Sequence, residues 1–104
     1  MDKEVQYKEY SRGYNKYIYD KIPKNKKVLD LGCNTGLLGK ALTKNKKCVV
    51  WGADYSEEAI KIAKTKLNKA TVCDLEKEVP FKNEKFDIIV LGDILEHLKY
   101  LKKY

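Results

Sequence analysis

The chain has 104 residues, of which 43% are hydrophobic and 36% charged, a composition typical of one globular domain and not of a disordered segment. It has no apolar run near the roughly 20 residues that span a membrane, and its charged N-terminus lacks the apolar core of a signal peptide, so we expect a cytoplasmic protein. The net charge is +7, but Arg12 is the only arginine, which favours a lysine-rich solvated surface and leaves a basic RNA-binding domain as an alternative.

The three cysteines, Cys33, Cys48 and Cys73, are widely spaced and form no CxxC pair. An odd number at such spacing argues against a disulfide framework or a zinc site. We therefore expect three reduced, partly buried thiols.

The first predicted element is a helix over residues 5–22 that ends before Pro23. Aromatic residues recur at spacings of three and four on one face of it: Tyr7, Tyr10, Tyr14 and Tyr17. The stripe, continued by Ile18 and Ile22, predicts packing against a core, with one or two of the tyrosines free to line a ligand.

Strands and helices then alternate along the chain. The predicted strands cover residues 26–31, 47–53, 70–73 and 86–92, and the predicted helices cover 37–44, 56–67 and 94–103. A polar loop is expected over 74–85, and Ser56 is the predicted N-cap of its helix. Repeated βαβ units predict a parallel sheet with helices on both faces, and we expect the strand order 3-2-1-4.

An aspartate follows each predicted strand or lies near its end: Asp30, Asp54, Asp74 and Asp93. Carboxyl ends of parallel strands meet at one edge, where such sheets bind ligands. This edge is rich in acceptors, which suits a ligand with hydroxyls, amines and positive charge better than it suits a phosphate.

Three segments, in order over residues 26–98, carry a family resemblance: VLDLGCNTG, WGADYSEEAIKIAK and CDLEKEVPFKNEKFDIIVLGDILEHL. Together they resemble the class I S-adenosylmethionine-dependent methyltransferases. The resemblance implies an α/β fold, a three-layer Rossmann-like sandwich that is truncated relative to the seven-stranded methyltransferase fold. It also implies S-adenosylmethionine as cofactor and transfer of its sulfonium methyl group to an acceptor that the sequence does not identify.

The same resemblance assigns roles to residues along this edge. Asp30, Gly32 and Gly36, with Cys33 and Asn34 in the same loop, would hold the methionine end of the cofactor. Asp54 would accept hydrogen bonds from both ribose hydroxyls, and Asp74 would accept one from the adenine amine. Asp93 would face the methyl group. Tyr55 and Leu75 would enclose the adenine ring. Asn34 stands where the family often has a glycine, and asparagine tolerates a positive φ better than most residues.

Asp93, Glu96 and His97 share one face of the last predicted helix. The trio is interpreted first as structural. Asp93 or His97 is otherwise a candidate catalytic residue, and all three resemble the metal box of small-RNA 2′-O-methyltransferases, although a further histidine of that box is missing.

Two other interpretations stay open at this point. An NAD-binding Rossmann unit would need glycines at positions 34 and 37, and the carboxylate of Asp30 would oppose a pyrophosphate. A non-catalytic module would bind S-adenosylmethionine and depend on a partner or on downstream chain. The apolar fourth strand would be an exposed edge, so we expect a homodimer or a downstream domain to cover it.

Overall fold

A computed structural model describes residues 13–91. Four parallel strands form one sheet in the order β3-β2-β1-β4, with β1 at Lys27–Leu31, β2 at Val49–Asp54, β3 at Lys69–Val72 and β4 at Ile88–Val90. The parallel pairing and the strand order confirm the prediction. β1 lies between β2 and β4, so Asp30 is level with Gly52 on one side and Val90 on the other.

Three helices lie within the described residues: α1 at Lys16–Lys21, α2 at Leu37–Lys46 and α3 at Glu57–Ala63. The Asn15 side chain caps α1 by accepting from the backbone N–H of Ile18 at 3.1 Å. Ser56 caps α3 as predicted, because its hydroxyl accepts from the N–H of Ala59 at 3.1 Å.

The prediction of one helix over 5–22 is wrong at residues 13–15. Gly13 has φ +83° and Asn15 is an extended N-cap, so α1 begins only at Lys16. Tyr17 is 58% exposed and contacts Lys21 through its ring, whereas Tyr14 packs against the core. Tyr7 and Tyr10 lie outside the described residues.

Two other boundaries differ from their predictions for local reasons. α3 ends at Ala63 and not at 67, because the chain turns there and folds Leu67 into the core. β2 begins at Val49 and not at 47, because Lys47 adopts φ +55° and ends α2. β3 lies one residue earlier than predicted, and β4 is shorter than its predicted range of 86–92.

The core has one cluster on each face of the sheet. On the first face, residues of all three helices or their ends pack on Val28, Val50 and Val90: Ile22, Leu38, Leu42, Ile60, Ala63 and Leu67. Lys46 fastens the end of α1 there by donating to the carbonyls of Tyr19 and Ile22 at 2.6 and 2.7 Å.

On the second face, Leu29, Leu31, Ala53 and Cys73 form a smaller cluster. It is covered by side chains of the loop after β3, among them Phe81 and Phe86, which meet the Trp51 ring edge-on. The loop expected to be polar thus supplies apolar packing. Within 13–91 no helix lies on this face, and the predicted helix after residue 92 falls outside the described range.

All three cysteines are free and buried, as expected of reduced thiols. No helix in the described part of the chain is long and apolar enough to cross a membrane.

Candidate functional site

The loop that joins β1 to α2 has an unusual backbone. Its residues 32–36 are called the glycine-rich loop below. Three of them have positive φ: Gly32 at +80°, Asn34 at +52° and Gly36 at +88°. Asparagine therefore occupies a left-handed position in this loop, as its tolerance for positive φ predicts.

Hydrogen bonds tie the glycine-rich loop to the end of β2. The N–H groups of Gly32 and Cys33 both donate to the carbonyl of Ala53, at 2.8 and 3.0 Å. The N–H of Asn34 donates to Oδ2 of Asp54 at 2.8 Å. The loop and the Asp54 carboxylate are thus positioned by each other.

The second oxygen of Asp54 is also engaged, since Oδ1 accepts from the N–H of Ser56 at 3.0 Å. Each carboxylate oxygen has a second lone pair, so the group can still accept from two further donors. Two parallel acceptor oxygens fixed in this way match the two hydroxyls of a ribose.

Asp30 is the only charged or polar residue of segment 13–91 that is buried, with 5% of its surface exposed. It follows Val28 by two residues, so it lies on the first face of the sheet, beside the glycine-rich loop. Its carboxylate has no hydrogen-bond partner among the described groups. Burial, with a contribution from the charge of Asp54, raises the pKa of the Asp30 carboxyl to about 7.

A cleft of about 760 Å³ opens beyond the ends of β2 and β3. Tyr55 and Val72, which are 76% and 43% exposed, give it apolar walls. Its remaining lining is Ser56, Glu57, Glu58, Cys73, Asp74 and Glu78. Four of these residues are acids and none is basic, so the cleft suits a neutral or cationic ligand and disfavours a phosphate.

Gly52 sets how closely the glycine-rich loop approaches the sheet. A Cβ at this position would lie 2.7 Å from the Cys33 sulfur and 2.7 Å from a methyl carbon of Leu67. The Cys33 side chain is accordingly part of the first-face core, and burial raises the pKa of its thiol. The Cys33 side chain is therefore not available to a ligand at the loop.

The structure brings most of the predicted site residues to one edge of the sheet. Asp30, Asp54 and the glycine-rich loop lie together, and Tyr55 and Asp74 line the adjoining cleft. Leu75 packs against the second-face cluster and is absent from the cleft lining.

The remaining predicted residues, Asp93, Glu96 and His97, lie outside the described range, so their catalytic and metal-binding roles stay predictions. Within residues 13–91 no group of three potential metal ligands occurs.

Sequence reasoning missed two residues of this region. Val72 lines the cleft, but the sequence around it carries no motif that predicts this role. Its position at the cleft depends on how β3 pairs with β2. Gly52 is not among the predicted site residues, although an isolated glycine inside a strand signals a close approach by other atoms.

A parallel sheet of this order, with a glycine-rich loop of positive φ after β1 and an acid at the end of β2, defines a Rossmann-like nucleotide-binding domain. Within that class, the family model described as "Methyltransferase domain" matches residues 29–104. The chain belongs to this methyltransferase family, whose cofactor is S-adenosylmethionine.

Individual relatives agree with this assignment. A ubiquinone biosynthesis O-methyltransferase of Coxiella burnetii is 39% identical over 89 residues, which cover 80% of this chain and 38% of the relative. The mitochondrial ubiquinone biosynthesis O-methyltransferase of Mus musculus is 36% identical over 87 residues, covering 75% of this chain and 23% of that protein. The chain therefore spans less than half the length of these curated relatives.

Among solved structures, a TehB-like SAM-dependent methyltransferase from Corynebacterium glutamicum superposes with a TM-score of 0.64 at 25% identity. The match covers 92% of this chain and 56% of that protein. It supports the Rossmann-like fold in which β1 to β4 have the order described above.

Proposed function

We propose that this chain binds S-adenosylmethionine at the carboxyl edge of its sheet and takes part in transferring the sulfonium methyl group to an acceptor. The observation that carries the proposal is the pair of carboxylates, Asp30 and Asp54, that flank the glycine-rich loop at the ends of adjacent strands. The carboxylate oxygens accept hydrogen bonds, and none of the described residues that line the adjoining cleft is basic. Such an edge suits a cationic nucleoside and disfavours a pyrophosphate.

The residues present fit the parts of such a ligand. Asp30 is a buried carboxylate without a described partner, and an ammonium group on the methionine end would supply one. The first N–H groups of α2, which have no acceptor within the helix, would face the ligand carboxylate. Asp54 would bind the ribose diol, and the cleft between Tyr55 and Asp74 would receive the adenine.

S-adenosylmethionine, when bound, supplies a methyl group activated by a positively charged sulfur. The sulfur is a good leaving group because it departs as a neutral thioether. The chain's own contribution is to orient that group: Asp54 fixes the ribose, the loop fixes the methionine end, and the acid-rich edge favours the positive charge. Placement of donor and acceptor in line accounts for much of the rate in a reaction of this kind. Asp93 and His97 remain the candidates for a catalytic base, if the acceptor carries a proton.

The residues that hold the donor do not select the acceptor. The proposal therefore extends to methyl transfer and names no acceptor. The alternative of a binding module without catalytic activity makes the same prediction for cofactor binding. It differs in predicting no transfer to any acceptor until downstream chain or a partner is added.

Isothermal titration with S-adenosylhomocysteine and, separately, with NAD⁺ tests the binding step. We expect S-adenosylhomocysteine to bind with a Kd on the order of 10 to 100 µM and NAD⁺ to give no heat of binding at about 1 mM. A folded sample that binds NAD⁺, or that ignores S-adenosylhomocysteine, contradicts the proposal. Filter binding of RNA at two salt concentrations tests the remaining alternative, because a basic RNA-binding domain would show a steep loss of affinity with salt.

We further propose that the free edge of β4 is covered by additional chain or by a second copy. Within 13–91, β4 pairs only with β1, and its residues are apolar. Light scattering across a dilution series tests this: we expect a dimer or progressive association, and a stable dilute monomer counts against it. A cytoplasmic location is proposed as well, supported by three buried thiols that form no disulfide.

A further inference from the structure

Asp30 lies in an environment that opposes its negative charge. The residue is buried, with 5% of its surface exposed, and no described N–H or O–H group donates to it. A buried carboxylate with neither a hydrogen bond nor a counter-ion is costly, and the usual response is to take up a proton.

The groups around Asp30 add to this effect. From β2 the carboxylate of Asp54 acts on it, and from the glycine-rich loop the nearest titratable group is the thiol of Cys33. The flanking strand β4 contributes only Ile88, Ile89 and Val90. No lysine of the described residues pairs with it.

We propose that Asp30 carries a proton in the unliganded protein and releases it when the cationic methionine end of the cofactor binds, so that cofactor binding is coupled to proton release. The inference rests on the proposed function, because it takes the ligand's ammonium group to be the partner of Asp30. The O–H bond of the carboxyl breaks, the proton passes to solvent, and the resulting carboxylate pairs with the ammonium. Each chain that is protonated at Asp30 thus gains one negative charge when it binds the ligand.

The size of the effect follows from the pKa of about 7 for Asp30. About nine-tenths of the carboxyl is protonated at pH 6, about half at pH 7 and about a tenth at pH 8. If the ligand binds the ionised form, its apparent Kd is about tenfold larger at pH 6 than at pH 8. The fraction of a proton released per ligand bound should fall from pH 6 to pH 8.

Calorimetry with S-adenosylhomocysteine in two buffers of different ionisation enthalpy measures the protons released. The wild-type chain, Asp30→Asn and Asp87→Asn are titrated at pH 6 and pH 7. Asp87 is the control, because its carboxylate is exposed and lies at the opposite edge of the sheet, where it accepts a hydrogen bond from the backbone N–H of Lys27 at 2.8 Å. Subtracting the Asp30→Asn result removes protons contributed by the ligand and by other groups.

We expect the wild-type chain and Asp87→Asn to release about half a proton more than Asp30→Asn at pH 7, and about nine-tenths more at pH 6. Equal proton release in all three proteins overturns the inference and leaves the proposed function intact. Absence of S-adenosylhomocysteine binding to the folded wild-type chain overturns both.

A second measurement uses only the wild-type chain, in case Asp30→Asn binds too weakly. Carbon-13 NMR of the side-chain carboxyl groups follows Asp30 through a pH titration with and without saturating S-adenosylhomocysteine. We expect a midpoint near neutral pH without ligand and a midpoint at least two pH units lower with it. An Asp30 carboxyl that is ionised at pH 6 without ligand contradicts the inference.

Discussion

The backbone N–H of Asn34 donates to the carboxylate of Asp54 at 2.8 Å, which joins the glycine-rich loop to the end of β2. The same carboxylate accepts from the N–H of Ser56 at the start of α3. One side chain therefore joins the glycine-rich loop to the start of α3, and its remaining lone pairs are the ones proposed to accept from the ribose. Binding of the cofactor and order of the loop depend on the same two oxygens.

Asp54→Asn should weaken S-adenosylhomocysteine binding by about 10- to 100-fold. An amide has one acceptor oxygen, so the variant loses either the loop contact or the Ser56 contact, and it offers a donor to the ribose. Isothermal titration measures the change, with Asp87→Asn as the control that replaces a carboxylate bonded to a backbone N–H away from the site. An unchanged affinity in Asp54→Asn would remove the ribose role from this residue.

Asn34 holds φ at +52°, and substitutions there should separate backbone strain from side-chain chemistry. Asn34→Gly should bind S-adenosylhomocysteine about as well as the wild-type chain, because glycine adopts positive φ without a steric cost. Asn34→Val should lose about 1–2 kcal/mol of stability and bind more weakly.

Asn25, with φ +62° and an exposed side chain, supplies the control. Asn25→Val should lose similar stability in thermal unfolding while its affinity stays the same. If Asn34→Gly loses affinity, then the amide side chain contacts the ligand and the conformational explanation is wrong.

Gly52→Ala should push the glycine-rich loop away from the sheet, since the new Cβ would meet Cys33 and Leu67 at 2.7 Å. We expect a loss of about 1–3 kcal/mol in the free energy of unfolding, together with weaker binding of S-adenosylhomocysteine. Denaturant unfolding and isothermal titration at a temperature where the variant is folded measure the two effects.

Gly39→Ala is the matched control for this substitution. Its Cβ, on α2, would also collide with Leu67, and with Val50, but would not touch Cys33. It should lose stability and keep its affinity. Equal losses of affinity in both variants would show that general core strain, and not the position of the loop, governs binding.

The buried carboxyl of Asp30 predicts a pH dependence of stability. Its pKa in the folded chain is about 7, against an ordinary value of 3.8, so the folded state holds an extra proton between these values. Stability is therefore lost as the pH rises from about 4 to about 7, and the loss is complete above that window.

Asp30→Asn lacks this titration, so its Tm relative to that of the wild-type chain should rise between pH 4.5 and pH 7.5. Thermal unfolding of both proteins across that range measures the difference and cancels the contributions of other carboxylates. A constant difference in Tm would show that Asp30 has an ordinary pKa in the folded chain.

The sequence predicted the sheet because its signals are local and agree with one another. Apolar runs such as IIV and VVW mark strands, Ser56 marks the start of α3, and the helical connections force parallel pairing. Asp30, Asp54 and Asp74 lie at one edge for the same reason, since parallel strands bring their carboxyl ends together.

What the sequence could not supply depends on tertiary packing. The end of α3 at Ala63 follows from Leu67 folding onto Gly36, Gly39 and Gly52, a contact between segments far apart in the chain. The unpartnered state of Asp30 likewise arises only once three strands surround it. The helix and strand propensities of the local sequence predict neither effect.

The central claim is that the carboxyl edge holds an S-adenosyl ligand through Asp54 and Asp30. A crystal structure of the chain with S-adenosylhomocysteine tests it most directly. We expect both ribose hydroxyls within hydrogen-bond distance of the Asp54 carboxylate and the ligand's ammonium group beside Asp30. A well-ordered ligand bound elsewhere, or with its ribose turned away from Asp54, would contradict the account.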